Sequence, residues 1–118
     1  MSKEEYFFKE GCYITELLNT SHDPEVSVAQ ARVEPGQTTR WHSLANIHER
    51  YLILQGKGIA EIGTEKPQAV RAGDVIQIPA GCQQRITNTG TVDLLFLAVC
   101  TPRFVPEAYQ DLEEFWKD

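Results

Sequence analysis

The chain predicts an all-β domain of the sandwich, barrel or jelly-roll kind. Short apolar runs recur roughly every ten residues, and Gly, Pro, Asn or Asp separates each from the next. The length of 118 residues fits one domain spanning 1–118, and a hydrophobic share of 42% is enough for a packed core. No internal repeat, linker or low-complexity segment divides the chain.

The first expected strand covers residues 13–18 and is stopped by Asn19, Ser21, Asp23 and Pro24. The second covers 26–33 and ends at Pro35 and Gly36. A third, 38–43, leads into a loop around 45–47. Residues 50–54 form an apolar run closed by Gly56 and Gly58. Residues 59–62 and 68–70 flank GTEKP, a hairpin-like turn. Residues 74–78 stop at Pro79 and Gly81, and 84–87 stop at Asn88, Thr89 and Gly90. The last expected strand, 94–100, ends at Pro102.

The period then changes. Val105, Ala108, Tyr109, Leu112, Phe115 and Trp116 share one helical face, and Pro106 stands where a helix can begin. A C-terminal α-helix over about 105–116, lying on the outside of the barrel, is expected. Residues 94–100 are apolar at every position, whereas a half-buried strand alternates. Both faces of that strand should therefore be covered, one by the core and the other by the helix or by a second chain. A homodimer through this outer sheet is the expectation.

Composition narrows the partners. Seventeen acids against eleven bases leave a net charge of −6, and no basic cluster is visible, which argues against nucleic acid. No apolar run approaches the ~20 residues that cross a bilayer, and MSKEEYFFKEG lacks a signal pattern, so no membrane role and a cytoplasmic location are expected. Three cysteines, Cys12, Cys82 and Cys100, fit reduced thiols.

Two stretches carry more specific information. Residues 36–56 place Gly36, His42, Glu49 and Gly56 on the pattern G-x5-H-x-H-x3,4-E-x6-G. Residues 73–88 place Gly73, Pro79, Gly81 and Asn88 on G-x5-P-x-G-x2-H-x3-N. Together they resemble the paired signature motifs of the cupin family. The resemblance implies a double-stranded β-helix jelly roll and a barrel interior that holds a metal through three His and one Glu. This chain departs from that set at two positions, with Leu44 at the second His and Gln84 at the third.

The resemblance implies a divalent metal on His42 and Glu49, with Gln84 adding an amide oxygen. Iron, manganese, nickel, copper or zinc suit an imidazole and a carboxylate. Strand alternation adds neighbours: Arg40 shares a face with His42, and Tyr51 with Glu49. Cys82 lies two residues before Gln84, at the expected barrel mouth. Arg40, Tyr51 and Cys82 are thus expected to line a substrate pocket, with His42 and Glu49 as catalytic residues.

A competing arrangement needs no ion. Arg40 could pair with Glu49 and replace the metal as its counter-charge. The function classes follow. One is a metal-dependent oxidoreductase, isomerase or lyase acting on a small organic acid. The second is a non-catalytic module that binds a small molecule. The third is metal-free acid–base catalysis by His42 and Glu49. Gly36, Gly56, Gly73, Gly81 and Pro79 are read as carrying the fold, and Trp41, Arg50 and Arg85 as facing outward.

Overall fold

The computed structural model describes residues 3–113. Among these described residues, eleven strands form two antiparallel sheets that face each other. In chain order they are β1 (Tyr6–Phe8), β2 (Cys12–Leu18), β3 (Ser27–Val33), β4 (His42–Leu44), β5 (His48–Gln55), β6 (Lys57–Ile62), β7 (Gln68–Arg71), β8 (Val75–Ile78), β9 (Gln84–Asn88), β10 (Leu94–Thr101) and β11 (Tyr109–Asp111). One sheet runs β1-β2-β3-β10-β5-β8 and the other β11-β4-β9-β6-β7. The crossovers between sheets make a jelly roll, the class the sequence predicts.

The expected strands are all represented, and the alternation places their faces. In β5, Glu49, Tyr51 and Ile53 are buried while His48, Arg50 and Leu52 are half-buried. In β9, Gln84, Ile86 and Asn88 point in while Arg85 and Thr87 do not. Val33, Ile53, Ile78, Ile86, Leu94 and Phe96 anchor the core between the sheets. On the outside, Arg85 pairs with Glu61 and lies 4.5 Å from the Trp41 ring centroid, an arrangement worth about 1 kcal/mol.

Gly56 shows why the motif keeps a glycine there. Its φ is 88°, and a Cβ would stand 2.9 Å from the carbonyl oxygen of Asp93. The turn brings β5 and β6 onto opposite sheets without leaving room for a side chain.

One expectation about the C-terminal end needs correction. The C-terminal α-helix is absent from the described part of 105–116: a single 3₁₀ turn at Pro106–Ala108 gives way to β11. Phe115 and Trp116 lie outside the described residues. An isolated helix of that length is marginal in water, whereas the edge of β4 offers a ready ladder. Tyr109 pairs with Leu44, Gln110 with Ser43 and Asp111 with His42. Ala108 and Tyr109 enter a second apolar cluster with Leu44, Ile47 and Cys100. The described part of the C-terminal segment therefore lies against the smaller sheet, and among the described residues Leu95, Leu97 and Val99 on the outer face of β10 are half-buried. No helix among the described residues is long and apolar enough to cross a membrane.

The strand expected over 38–43 also breaks. Thr38 makes an isolated bridge to Thr87, and regular pairing resumes only at His42. Thr39, 1% exposed, turns inward and exchanges hydrogen bonds with the Ile86 backbone. The interruption changes which side chains share a face, and this decides where Arg40 goes.

Candidate functional site

Four elements converge on one end of the barrel interior. β4 supplies His42, which pairs across the ladder with Gln84 of β9. β5 supplies Glu49 and Tyr51, with Glu49 opposite Cys100 of β10. The fourth is the tight turn between β1 and β2, where Gly11 takes φ 104° and donates its N–H to Phe8. That turn packs against the interrupted strand, and Arg40 donates its N–H to the Glu10 carbonyl at 2.8 Å. The Glu10 side chain is carried inside with it, and the residue is 9% exposed.

His42 is held on both sides of its ring. Nδ1 lies 2.6 Å from the Arg40 carbonyl oxygen, which can only accept, so Nδ1 carries a proton. Nε2 lies 3.2 Å from Oε1 of Glu10. The Tyr109 ring stacks on the imidazole at 5.3 Å with an interplanar angle of 19°. The Cys12 thiol donates to the other Glu10 oxygen at 3.6 Å.

Glu49 belongs to a second chain of contacts. Tyr51 donates its hydroxyl to Gln84 Oε1 at 2.6 Å, and Gln84 Nε2 donates to Glu49 Oε1 at 2.9 Å. The Cys100 thiol reaches Glu49 Oε2 at 3.8 Å. Burial pushes the Glu49 carboxyl up to about 7, and the charge of Glu10 pushes the same way. The Gln84 hydrogen bond, His42 and Cys100 pull it back in part. Burial also lifts Tyr51, Cys12 and Cys100 well above their ordinary values, so these stay neutral donors.

These groups open on a cavity of about 60 Å³. Glu10, His42, Glu49 and Tyr51 form its polar end, and Phe8, Phe96, Phe104 and Tyr109 much of its apolar wall. Tyr6, 43% exposed, lies at its rim, with its hydroxyl 3.4 Å from Glu16. The space suits a few waters or one small organic molecule.

His42, Glu49, Gln84 and Tyr51 thus come together as the sequence suggests. Arg40 does not join them. Its Nε lies 2.9 Å from Asp111 Oδ2, with Glu113 at 4.0 Å, so the expected Arg40–Glu49 pair does not form. The break after Thr38 explains this, because Thr39 takes the inward position and Arg40 faces β11. Cys82 is not in this pocket either. It lines a separate, shallow depression with Pro79, Gly81 and Gln110. His48 does not line the cavity, as alternation beside Glu49 requires.

The expected metal ligands do not make a fitting donor set. Gln84 has both ends of its amide engaged, Leu44 offers no donor, and no group of three His, Cys, Asp or Glu among the described residues is placed to hold a metal. Glu10 is a cavity-lining carboxylate that the spacing of motifs misses. It lies more than thirty positions before His42, in a hairpin turn, where a carboxylate ordinarily faces water.

Residues 29–100 match the sequence profile described as Cupin domain. The chain belongs to the cupin family. This cupin is 36% identical over 110 residues to the protein MJ1618 of Methanocaldococcus jannaschii, covering 92% of its own length and 85% of the relative's. It is 35% identical over 79 residues to a Thermotoga maritima protein named as oxalate-binding, covering 66% of this chain and 64% of that one. Among solved structures, a predicted oxalate decarboxylase of Thermotoga maritima superposes with a TM-score of 0.74 at 29% identity, over 86% of this chain and 92% of that one. Pac13, described as a nucleoside dehydratase, superposes with a TM-score of 0.77 over 93% of this chain and 84% of that one. At 18% identity that likeness speaks to the fold alone.

Proposed function

We propose that this cupin binds a small organic molecule at the polar end of its barrel, and that His42, Glu10 and Glu49 can exchange protons with it. The observation that carries the reading is the cavity itself. One wall is apolar and aromatic, and the polar end presents an imidazole and two carboxyl groups at hydrogen-bonding positions. A carboxyl group raised to about 7 is matched to proton transfer near neutral pH. Metal-free acid–base chemistry, such as an isomerisation, is the catalytic form of this reading, and plain binding is the other.

The Thermotoga relative's name raises oxalate as a ligand. The lining argues against it here, because the described residues around the cavity include no Lys or Arg, and Gln84, though beside His42 and Glu49, has both ends of its amide engaged and is not free for a metal. The pocket reading is tested by backbone NMR with a small-fragment library on the wild type and on Ala29→Phe, which fills the cavity wall. Shifts at Glu49, Tyr51, Ala98 and Cys100 that vanish in the plugged variant are expected. Binding that survives the plug would place the ligand elsewhere and end the proposal.

We also propose that two copies pair through the outer face of the larger sheet. Leu52 and Leu54 of β5, Val75 of β8, and Leu95, Leu97 and Val99 of β10 make one apolar stripe. Leu54 and Val75 are 48% and 58% exposed, and the described part of the C-terminal segment, Tyr109–Asp111, pairs with the other sheet.

A further inference from the structure

The charge of the cavity narrows its ligand, and the argument rests on the pocket reading above. Three carboxyl groups line the space: Glu10 and Glu49 inside and Glu16 near the rim. Among the described residues, His42 is the one lining residue that can carry a positive charge. Arg40 is committed to Asp111 behind β4, and Lys9 sits 5.0 Å from the centroid of the Tyr109 ring without lining the cavity. Even with His42 doubly protonated, one imidazolium faces three carboxyl groups. Glu49 is partly protonated near neutral pH, so the negative surplus comes from its ionised fraction together with Glu16 at the half-exposed rim.

From this arrangement we infer that the pocket selects a small organic cation: a protonated amine with an apolar body, its ammonium placed between Glu10 and Glu49. The walls suit the rest of such a molecule. Phe8, Phe96, Phe104 and Tyr109 offer aromatic surface, and a cation over such rings gains further attraction. A bare metal ion would gain nothing from those walls and would find Gln84 already engaged on both sides. A carboxylic acid would meet like charge at both the rim and the floor. Glu16, held by the Tyr6 hydroxyl at the rim, would draw a cation inward before it reaches Glu10.

The test is calorimetric titration of the full chain near neutral pH with three molecules of one shape: isobutylamine, isobutanol and isobutyrate. Zinc and manganese ions are titrated alone as a fourth arm. The amine should bind at least about tenfold more tightly than the alcohol, with the acid weakest, since a hydrogen bond to a charged group is stronger than one between neutral groups. Glu10→Gln should cost on the order of tenfold for the amine and little for the alcohol. Glu16→Gln, at a half-exposed position where folding is not at stake, should weaken the amine about threefold at low salt and less at high salt. Equal or tighter binding of the acid or alcohol would overturn the cation inference and leave the pocket reading standing. Amine affinity unchanged in both variants would overturn it too. A metal that binds where the amine does not would replace it. Failure of every probe, with no shifts from the fragment library, would remove the pocket reading as well.

Discussion

Nε2 of His42 stands 3.2 Å from Oε1 of Glu10, and this contact joins a signature residue of the family to a residue outside both motifs. The ring's other nitrogen faces a backbone carbonyl at 2.6 Å. Both partners of the ring are therefore acceptors. Where a metal-ligating histidine would fix one nitrogen and offer the other to the ion, this one offers it to a carboxylate.

The first prediction concerns that ring. Nδ1 should hold its proton in every ionisation state of the folded protein, because the Arg40 carbonyl cannot donate. Long-range proton–nitrogen correlation spectra should show the neutral ring protonated on Nδ1, both in the wild type and in Glu10→Gln. A neutral ring carrying its proton on Nε2 would contradict the geometry.

Glu49 sets a pH dependence whose sign can be worked out. Its folded value, about 7, lies above the ordinary 4.5. Between those values the folded state holds a proton that the unfolded chain releases. The group's contribution is therefore most favourable at the acid end, and it is lost as pH rises through the window, by up to roughly 3 kcal/mol. Urea unfolding across this range should show that decline in the wild type. Glu49→Gln, which can still accept from Gln84, should flatten it and be the more stable protein above the window. Parallel curves for the two proteins would mean that Glu49 is not buried as described.

Gln84 should matter to stability through both of its contacts. It is 1% exposed, and Gln84→Leu strands the Tyr51 hydroxyl and the Glu49 carboxyl together. A loss of about 2–4 kcal/mol follows from two unpaired buried groups. Gln84→His keeps a donor and an acceptor on one ring and should lose less than half as much. Equal losses in chemical denaturation would show that packing, rather than the relay, is what Gln84 supplies.

The interior positions were legible in the sequence wherever a strand was continuous. The resemblance to the family motifs put Glu49 and Gln84 in the interior, alternation along β5 added Tyr51, and the continuous strands bear this out. Alternation failed at Arg40 because the count of two was carried across the break between Thr38 and His42, where no turn residue marks the interruption. Glu10 was hidden for a different reason. Its position depends on a turn docking against a strand some thirty residues later, through an N–H to carbonyl bond that leaves no mark on side-chain pattern. The C-terminal stripe misled because Ala108 and Tyr109 are apolar for a tertiary reason, contact with Leu44 and Cys100, and helical spacing was coincident with it.

The open face of the larger sheet leads to the last prediction. Residues 94–100 are apolar throughout, yet in one copy only Leu94, Phe96 and Cys100 are fully buried. Leu95, Leu97 and Val99 point the other way, and Leu97 aligns with Leu52 and Val75 across three neighbouring strands. A stable pair buries about 800 Å² on each partner, and a flat stripe of this kind is what such a surface needs. Sedimentation velocity at micromolar concentration should show a dimer. Leu54→Glu with Val75→Glu, both at exposed positions, should convert it to a monomer with an unchanged circular dichroism spectrum, because a like-charged carboxylate would then face its own copy. A monomeric wild type, or a double variant that still pairs, would show that the stripe is covered in some other way.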